Sequence, residues 1–200
     1  MAELTIYGVP ASRAARVLWL ANELDLDYEH VPTVGAEART PDYLAINPNG
    51  LIPAIRDGDY TLWESMAINL YLVQKHGGDL APASTEEAGH AYQWSFWVMT
   101  EVEGRLLTAL MHRLLLPEAE RNAAEADKAL TALRKPLEVL DQALAGREWL
   151  IADRFTVADL NVAAVLAWAR ILRVDLADFP KVAAWLERCL SRPAYQRVRG

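Results

Sequence analysis

One cysteine, Cys189, stands in 200 residues, so the chain can form no intrachain disulfide and no cysteine-cluster metal site. Its lone thiol, in Trp185-Leu186-Glu187-Arg188-Cys189-Leu190, sits in a helical context and reads as structural. His30, His76, His90 and His112 share no metal-like spacing with acidic residues, and no metal is expected. Positive charge is not in excess: the net charge of -7 argues against nucleic acid, whose affinity comes largely from Lys and Arg neutralising phosphates. Long apolar runs are missing too. Leu160 to Val174 is interrupted by Asn161, Arg170 and Arg173 and falls short of the roughly 20 residues a membrane span requires. Met1 to Tyr7 lacks the basic-then-apolar order of a signal peptide, and a cytoplasmic, reducing location is expected. There is no low-complexity tract and no repeat. What is present, 52% hydrophobic and 24% charged residues, is an ordinary globular composition, long enough for one large domain or two small ones.

Leu4-Thr5-Ile6-Tyr7, a β-branched and aromatic run ended by Gly8 and Pro10, reads as a buried strand. From Ser12 to Leu24, Val17, Leu18, Leu20, Ala21 and Leu24 recur at helical spacing, with Ser12 at the N-cap. Tyr28 to Val31 is a second strand, which makes a parallel βαβ unit. Asn47-Pro48-Asn49-Gly50 is a turn by composition. A strand from Ile52 to Ile55 is then turned back at Asp57-Gly58 into Tyr60 to Trp63, an antiparallel hairpin. A helix from Ser65 to His76 stops at Gly77-Gly78.

Beyond residue 80 the strand signals vanish. The boundaries expected are residues 1–79 for an α/β domain, 80–85 for a linker and 86–200 for an all-α domain. Glu86 to Leu116 and Glu118 to Ala145 are two long helical patterns, with Pro136 predicted to kink or break the second. Thr156 and Asp159, flanked by Phe155 and Leu160, form a capping-box-like start with staple residues. The helix that follows is apolar on more than one face and is expected at the centre of its domain. Pro180 and Pro193 open two short helices.

Four motifs carry further information: Ser12-Arg13-Ala14-Ala15-Arg16-Val17, Asn47-Pro48-Asn49-Gly50-Leu51-Ile52-Pro53-Ala54, Trp63-Glu64-Ser65-Met66-Ala67-Ile68 and Thr156-Val157-Ala158-Asp159. Singly they mean little, and Ser12 and Ser65 are equally well read as ordinary helix N-caps. In this order, with the hairpin between the second and third, the chain resembles the cytosolic glutathione transferase superfamily over essentially its full length. The likeness is to a bacterial-type member with a serine-class active site.

The resemblance implies a thioredoxin-like βαβ-ββα domain followed by an all-helical domain that forms the second wall of the active site. It implies that Ser12 is the catalytic serine, donating to the glutathione sulfur at a helix N-terminus, with Arg13 as an alternative source of charge. Pro53 is similar to the family's cis-proline, with Ile52 pairing with the cysteinyl part of glutathione. Ser65 and its amide are implied to hold the γ-glutamyl carboxylate, with Glu64 ordering that end. Leu51 departs from the pattern, because many relatives carry glutamine or lysine there to reach the glycyl carboxylate. Arg39 is a substitute whose position the sequence does not fix.

Trp94, Trp97, Glu101, Arg105 and Thr108 share roughly one helix face by spacing. That face is either a core-facing aromatic pair beside a solvated stripe or, by resemblance, the wall of a second-substrate pocket. In the second case Trp97 and Glu101 are candidates, with Pro10 opposite. The implied activity is conjugation of glutathione, a co-substrate, to a small electrophile in detoxification. Glutathione-dependent disulfide or peroxide reduction and a non-catalytic binding role remain open. A homodimer is implied, with the partner's Glu101 or Glu103 approaching the glutathione amino group.

Overall fold

In the computed structural model, which describes residues 3–199, the chain opens on strand β1, Leu4–Tyr7. Helix α1, Ala14–Glu23, and strand β2, Tyr28–Val31, follow. A 3-10 turn, Glu37–Arg39, and a short helix α2, Pro41–Leu44, lead to the hairpin β3, Ala54–Asp57, and β4, Tyr60–Trp63, and then to helix α3, Ser65–His76. The strands form one sheet in the order β2-β1-β3-β4. β1 pairs parallel with β2, Leu4 opposite Tyr28, and antiparallel with β3, Ile6 opposite Ile55.

Alternation along β1 and β3 puts Ile6 and Ile55 in the core, both fully buried, with Val17, Leu20, Ile68 and Leu72 from α1 and α3. β3 begins two residues later than the sequence suggests, because Pro53 has no N–H to give the ladder. The helix expected from Ser12 begins at Ala14, after a turn in which Ser12 and Arg13 carbonyls accept from Ala15 and Arg16.

Two compact units divide the chain: one runs to Ala81 and regains everything from Ser191 onward, the other is Pro82–Leu190. The last helix, α9 in the sequence of elements, Pro193–Arg199, therefore leaves the all-α domain to which residues 86–200 were expected to belong. It packs on α1. Trp19 and Tyr195 meet edge to face with ring centroids 4.8 Å apart. Arg192 grips Glu23 through two bonds of 2.7 Å, a bidentate pair whose carboxylate also accepts from Trp19 Nε1.

Regular structure in the second unit is helical throughout its described residues. It comprises α4, Thr85–Trp97; α5, Gly104–Leu110; α6, Ala123–Ala143; α7, Val157–Ile171; and α8, Pro180–Leu190. The long pattern from Glu86 to Leu116 is one helical run that widens into π-helical turns at Val98–Glu103 and Met111–Leu115. A π turn shifts the hydrogen-bond register and costs carbonyls their usual partners. Here the Arg105 guanidinium reaches back to the Glu101 carbonyl. Pro136 does not end its helix: α6 continues through it. Its ring is buried on the same stripe as Leu133, Leu137 and Leu140, so packing of a long amphipathic face outweighs one lost ladder bond.

At the start of α7 the expected capping box is present, Thr156 and Asp159 bonding reciprocally. Asp159 is fully buried. Burial pushes its pKa up, while Leu150 N–H and Trp185 Nε1–H donate to one oxygen and Thr156 to the other, at 2.9 to 3.0 Å. α7 is buried almost throughout, as expected of a central helix. Asp141 of α6 caps α8 by accepting from Lys181 N–H and Val182 N–H. Cys189 is buried in α8.

In the first unit, Asp57 at the end of β3 accepts from Lys75 Nζ at 2.7 Å and Tyr71 Oη at 2.8 Å, both on α3. Burial alone would raise the Asp57 pKa, but the hydrogen bonds from Lys75 and Tyr71 overcome it and hold the carboxyl below its ordinary value. A depressed folded pKa gives stability that is present above the ordinary carboxylate value of about 3.9 and is lost as pH falls through the folded one. Asp57→Asn is therefore expected to lower the thermal midpoint by roughly 4 °C or more at neutral pH. The difference from the parent should shrink toward zero in the acid limb, as pH falls through the depressed folded value. Melting curves across pH check this, and an equal deficit at both ends would show that the charge is not the cause.

Candidate functional site

Gly8 ends β1 with φ of 128°, and a Cβ placed on it would lie 2.7 Å from the Ala14 Cβ and 3.3 Å from the Ile52 Cβ. Only glycine lets the loop before α1 and the segment before β3 approach this closely. The loop is held at both faces of Gly8: its N–H donates to the Val31 carbonyl at 3.0 Å, and its carbonyl accepts from His30 Nε2 at 2.7 Å. Pro10 is exposed on this loop.

Ser12 follows, half-buried. Its Oγ donates to the Val9 carbonyl at 2.7 Å and accepts from the Ala14 N–H at 3.1 Å. The hydroxyl thus caps α1 two residues ahead of the helix and spends its single proton on a backbone carbonyl. Arg13, also half-buried, holds the N-cap position without a side-chain cap.

Ile52 lies just ahead of β3, and the Ile52–Pro53 peptide is cis. Its side chain packs on the Tyr7, Ala38, Tyr43 and Ala54 cluster. Among the described residues its amide and carbonyl carry no hydrogen bond within the chain. The preceding turn is fixed from beneath by Asn47, which is 2% exposed. Its side chain donates to the Leu51 carbonyl at 2.6 Å and accepts from Asn49 N–H at 3.1 Å. Tyr43 Oη donates to the same carbonyl at 2.7 Å. Burial, the leading cause, pushes the Tyr43 pKa up to about 12, so this donor keeps its proton at physiological pH. Leu51 itself is 59% exposed. Arg39 reaches the same turn, its Nη1 3.5 Å from the Asn49 carbonyl.

Glu64 precedes α3 with φ of 74° and ψ of 112°, a conformation that costs a non-glycine residue on the order of 1–3 kcal/mol. It offers no side-chain cap. Ser65 is the first residue of the helix, as the expected span Ser65 to His76 has it, and not the N-cap of the alternative reading; Ile68 is the first to bond back, its N–H donating to the Glu64 carbonyl at 2.9 Å. The amides of the first turn are thus left outside the ladder, at the positive end of the helix. By contrast, Thr40, Ser84 and Asn122 accept first-turn amides of α2, α4 and α6. Ser65 is 3% exposed, and its Oγ accepts from Arg16 Nη1 at 3.2 Å.

The first unit therefore gathers Ser12, Ile52, Pro53, Glu64 and Ser65 around the ends of α1, β3 and α3. Sequence reasoning missed Arg16, Asn47, Tyr43 and His30, which hold those ends. Arg16 and Asn47 stood inside the quoted motifs, but nothing in their spacing marked them as buried. A separate cavity of ≈ 690 Å³, lined among others by Tyr7, Val31, Tyr43, Ile46 and Arg56, includes none of the expected site residues.

In the second unit Trp94 and Trp97 form an edge-to-face pair, centroids 4.9 Å apart. Glu101 pairs with Arg105 at 3.4 Å, its side chain 48% exposed. Glu103 is buried, so of the two glutamates Glu101 is the one that presents a carboxylate to solvent.

The family model of the glutathione S-transferase N-terminal domain matches residues 2–74, and that of the C-terminal domain matches residues 104–193. Glutathione S-transferase 3 of Zea mays is 40% identical over 216 residues, covering 99% of this chain and 94% of that protein. Glutathione S-transferase GstB of Escherichia coli strain K12 is 30% identical, covering 98% and 97%. Among solved structures, the theta class glutathione S-transferase from the citrus canker pathogen Xanthomonas axonopodis pv. citri, with glutathione bound, superposes with a TM-score of 0.90. Its identity is 33%, and the match covers 98% of this chain and 97% of that one.

The crowding at Gly8 gives a paired expectation. Gly8→Ala should destabilise by roughly 2 kcal/mol or more, from backbone strain at positive φ and a clash with no flexible neighbour to yield. Gly35→Ala, also at positive φ but with nothing within 4 Å, should cost only about 1 kcal/mol. Chemical denaturation of both variants checks the order, and equal losses would mean that the Ala14 and Ile52 contacts impose no constraint.

Proposed function

The chain belongs to the glutathione S-transferase family, and from that premise we propose that it binds glutathione in the first unit and activates its thiol for transfer to an electrophilic carbon. The observation that carries this reading is the pairing of two helix starts: a serine hydroxyl ahead of α1, and, one turn along the same helix, a guanidinium bonded to the serine that opens α3. One end offers a proton donor for sulfur, the other a site for a carboxylate.

In this reading the γ-glutamyl carboxylate meets the free amides and hydroxyl at the start of α3, as helix N-termini hold anions generally. The exposed Glu64 carboxylate faces the α-ammonium group. The cysteinyl backbone pairs with the unbonded amide and carbonyl of Ile52, which brings the thiol toward Ser12. The Arg39 guanidinium, held at the Asn49 turn, serves the glycyl carboxylate in place of the side chain that Leu51 lacks.

A free thiol has a pKa of about 8.5, so little thiolate exists at neutral pH. A donor that favours the anion raises that fraction and lowers the barrier to attack. The reaction forms a carbon–sulfur bond, and the electrophile's leaving group departs with the electron pair. Ser12, not a cysteine, stands at the sulfur, and the one cysteine of the chain is buried in α8. That supports conjugation over exchange through a protein thiol. The reading includes a cytoplasmic protein acting in detoxification. No helix among the described residues is long and apolar enough to cross a membrane.

Ser12→Ala should fold nearly as well as the parent, since a lost cap costs about 1 kcal/mol, while turnover falls ten-fold or more at about the strength expected of one lost oxyanion-type donor. The assay is glutathione with a halonitroarene, an organic hydroperoxide and a mixed disulfide in parallel. Activity on the halonitroarene that survives unchanged in Ser12→Ala would remove the serine from the mechanism. Turnover confined to the disulfide or peroxide would replace conjugation with reduction, and glutathione binding with no turnover would leave a binding protein.

The proposal extends to a two-fold dimer, the commonest closed assembly, with the partner's Glu101 near the glutathione amino group. Light scattering should give a mass near twice 22.3 kDa. Glu101→Gln should weaken glutathione binding by about three-fold, in the range of an exposed charge contact, and Glu103→Gln should act on stability instead. An active monomer at micromolar concentration excludes the cross-subunit contact.

A further inference from the structure

Arg16 is the least expected charge in the first unit. It lies on α1 four residues after Ser12, is 2% exposed, and ranks among the largest fully buried side chains of the chain. A buried guanidinium is costly unless its donors are used. One of them, Nη1, is used on Ser65 Oγ at 3.2 Å. The Arg16 carbonyl in turn accepts from Asn69 Nδ2 at 3.4 Å, one turn further along α3, and Asn69 is fully buried. Two bonds in opposite senses therefore clamp the first turn of α3 against α1.

The direction of the Arg16–Ser65 bond matters more than its length. Guanidinium has donors only, so Ser65 Oγ must be the acceptor. The serine's own proton is thereby turned away from Arg16, and no acceptor within the chain takes it among the described residues. It is left for a ligand at the start of α3, where the first-turn amides also remain unbonded. Without Arg16 the hydroxyl could rotate to serve as an acceptor or turn back onto the helix, as serine does at ordinary helix starts. The buried positive charge behind Ser65 adds to the helix end, and in surroundings shielded from solvent it is screened less than a surface charge.

We infer that Arg16 is a positioning residue for glutathione: a buried cation that fixes the Ser65 hydroxyl as a donor and biases the α3 N-terminus toward the α-carboxylate of the γ-glutamyl group. This rests on the proposed binding of glutathione at that helix start. It assigns to Arg16 a share in selecting the ligand through a carboxylate it does not touch.

The test compares two ligands by titration calorimetry on the full-length protein: glutathione, and an analogue whose γ-glutamyl group is replaced by 4-aminobutyryl and so lacks the α-carboxylate. The parent should prefer glutathione by ten-fold or more, about the range of one charge-assisted hydrogen bond. In Arg16→Gln the affinity for glutathione should fall about ten-fold while that for the analogue changes little, so the preference collapses. KM for glutathione should rise far more than kcat falls, and Arg16→Lys, which restores charge, should recover part of the preference. Adding Ser65→Ala to Arg16→Gln should cost much less than Ser65→Ala alone.

A merely structural arginine would lower stability and affinity for both ligands together, and a preference retained in the folded Arg16→Gln variant overturns the inference. Should that variant fail to fold by circular dichroism, Arg16→Met, which brings no polar group of its own into the interior, takes its place with the same criterion. A parent that binds neither ligand overturns the glutathione reading itself. A parent that binds both equally overturns only the role given to the α3 start.

Discussion

The hydrogen bond between Arg16 and Ser65 joins the two helices whose starts carry the polar groups of the site. Ser12 lies in the turn just ahead of α1, tied to it by the bonds from Ala15 and Arg16 N–H to the Ser12 and Arg13 carbonyls, so what holds Arg16 also steadies Ser12. Burying a guanidinium is costly, and a displacement of α3 along α1 gives up the Ser65 bond that offsets part of that cost. The Glu23–Arg192 pair at the far end of α1 does the same work against α9. α1 is thus fixed near its start by a buried guanidinium bonded to a serine hydroxyl and at its end by an ion pair, and its middle is fixed by Val17, Leu18 and Leu20 in the core. Reactions that depend on orientation lose rate steeply when a group shifts by about 1 Å, which makes such pinning worth its desolvation cost.

Helix starts elsewhere in the chain show what is unusual about α3. Thr40, Ser84, Asn122 and Thr156 each give a side-chain oxygen to the helix that follows, the arrangement that best satisfies the first-turn amides. At α3 the corresponding residue is Glu64 at positive φ, contributing none. The chain bears backbone strain and forgoes a cap at the same place. Neither is favourable for folding, and both leave a row of donors facing outward. Strain at such a point is retained where surroundings over-determine it; here the surroundings are the hairpin before it and the Arg16 and Asn69 contacts behind it.

The parts of the fold legible in the sequence were those settled within a few residues. The β-branched and aromatic run Leu4 to Tyr7, the Gly58 turn of the hairpin and the Thr156–Asp159 capping box are local patterns, and each is present. What escaped depends on distant partners. Nothing near Pro193 signals that the last helix will lie on α1, because the contact is made by Trp19 and Glu23 more than a hundred residues earlier. Pro136 looked like a helix breaker because its intrinsic cost is local, whereas the compensating stripe of Leu133, Leu137 and Leu140 acts through packing. Arg16 stood within a motif, but helical spacing gives no sign that α3 will cover it. Arg39 was visible as a candidate, but only folding of the Asn47 turn brings it to the Asn49 carbonyl, two residues before Leu51.

The Ser12 hydroxyl raises a last question of balance, since its proton is already engaged by the Val9 carbonyl at 2.7 Å. Turning it toward sulfur exchanges one hydrogen bond for another, so the net gain is their difference. A neutral thiol is a weak acceptor and cannot draw the proton from a carbonyl. A thiolate is charged, and charge-assisted bonds are roughly twice as strong as neutral ones. Under the proposed function the carbonyl therefore acts as a threshold: the hydroxyl stays on Val9 beside the thiol and moves to sulfur only when sulfur is ionised. A bond made with the anion alone lowers the thiol pKa, whereas one made equally with both forms would not shift it. The cap on α1 survives the exchange, because the Ala14 N–H bonds to a lone pair of the same oxygen, and the helix that also carries Arg16 does not have to move.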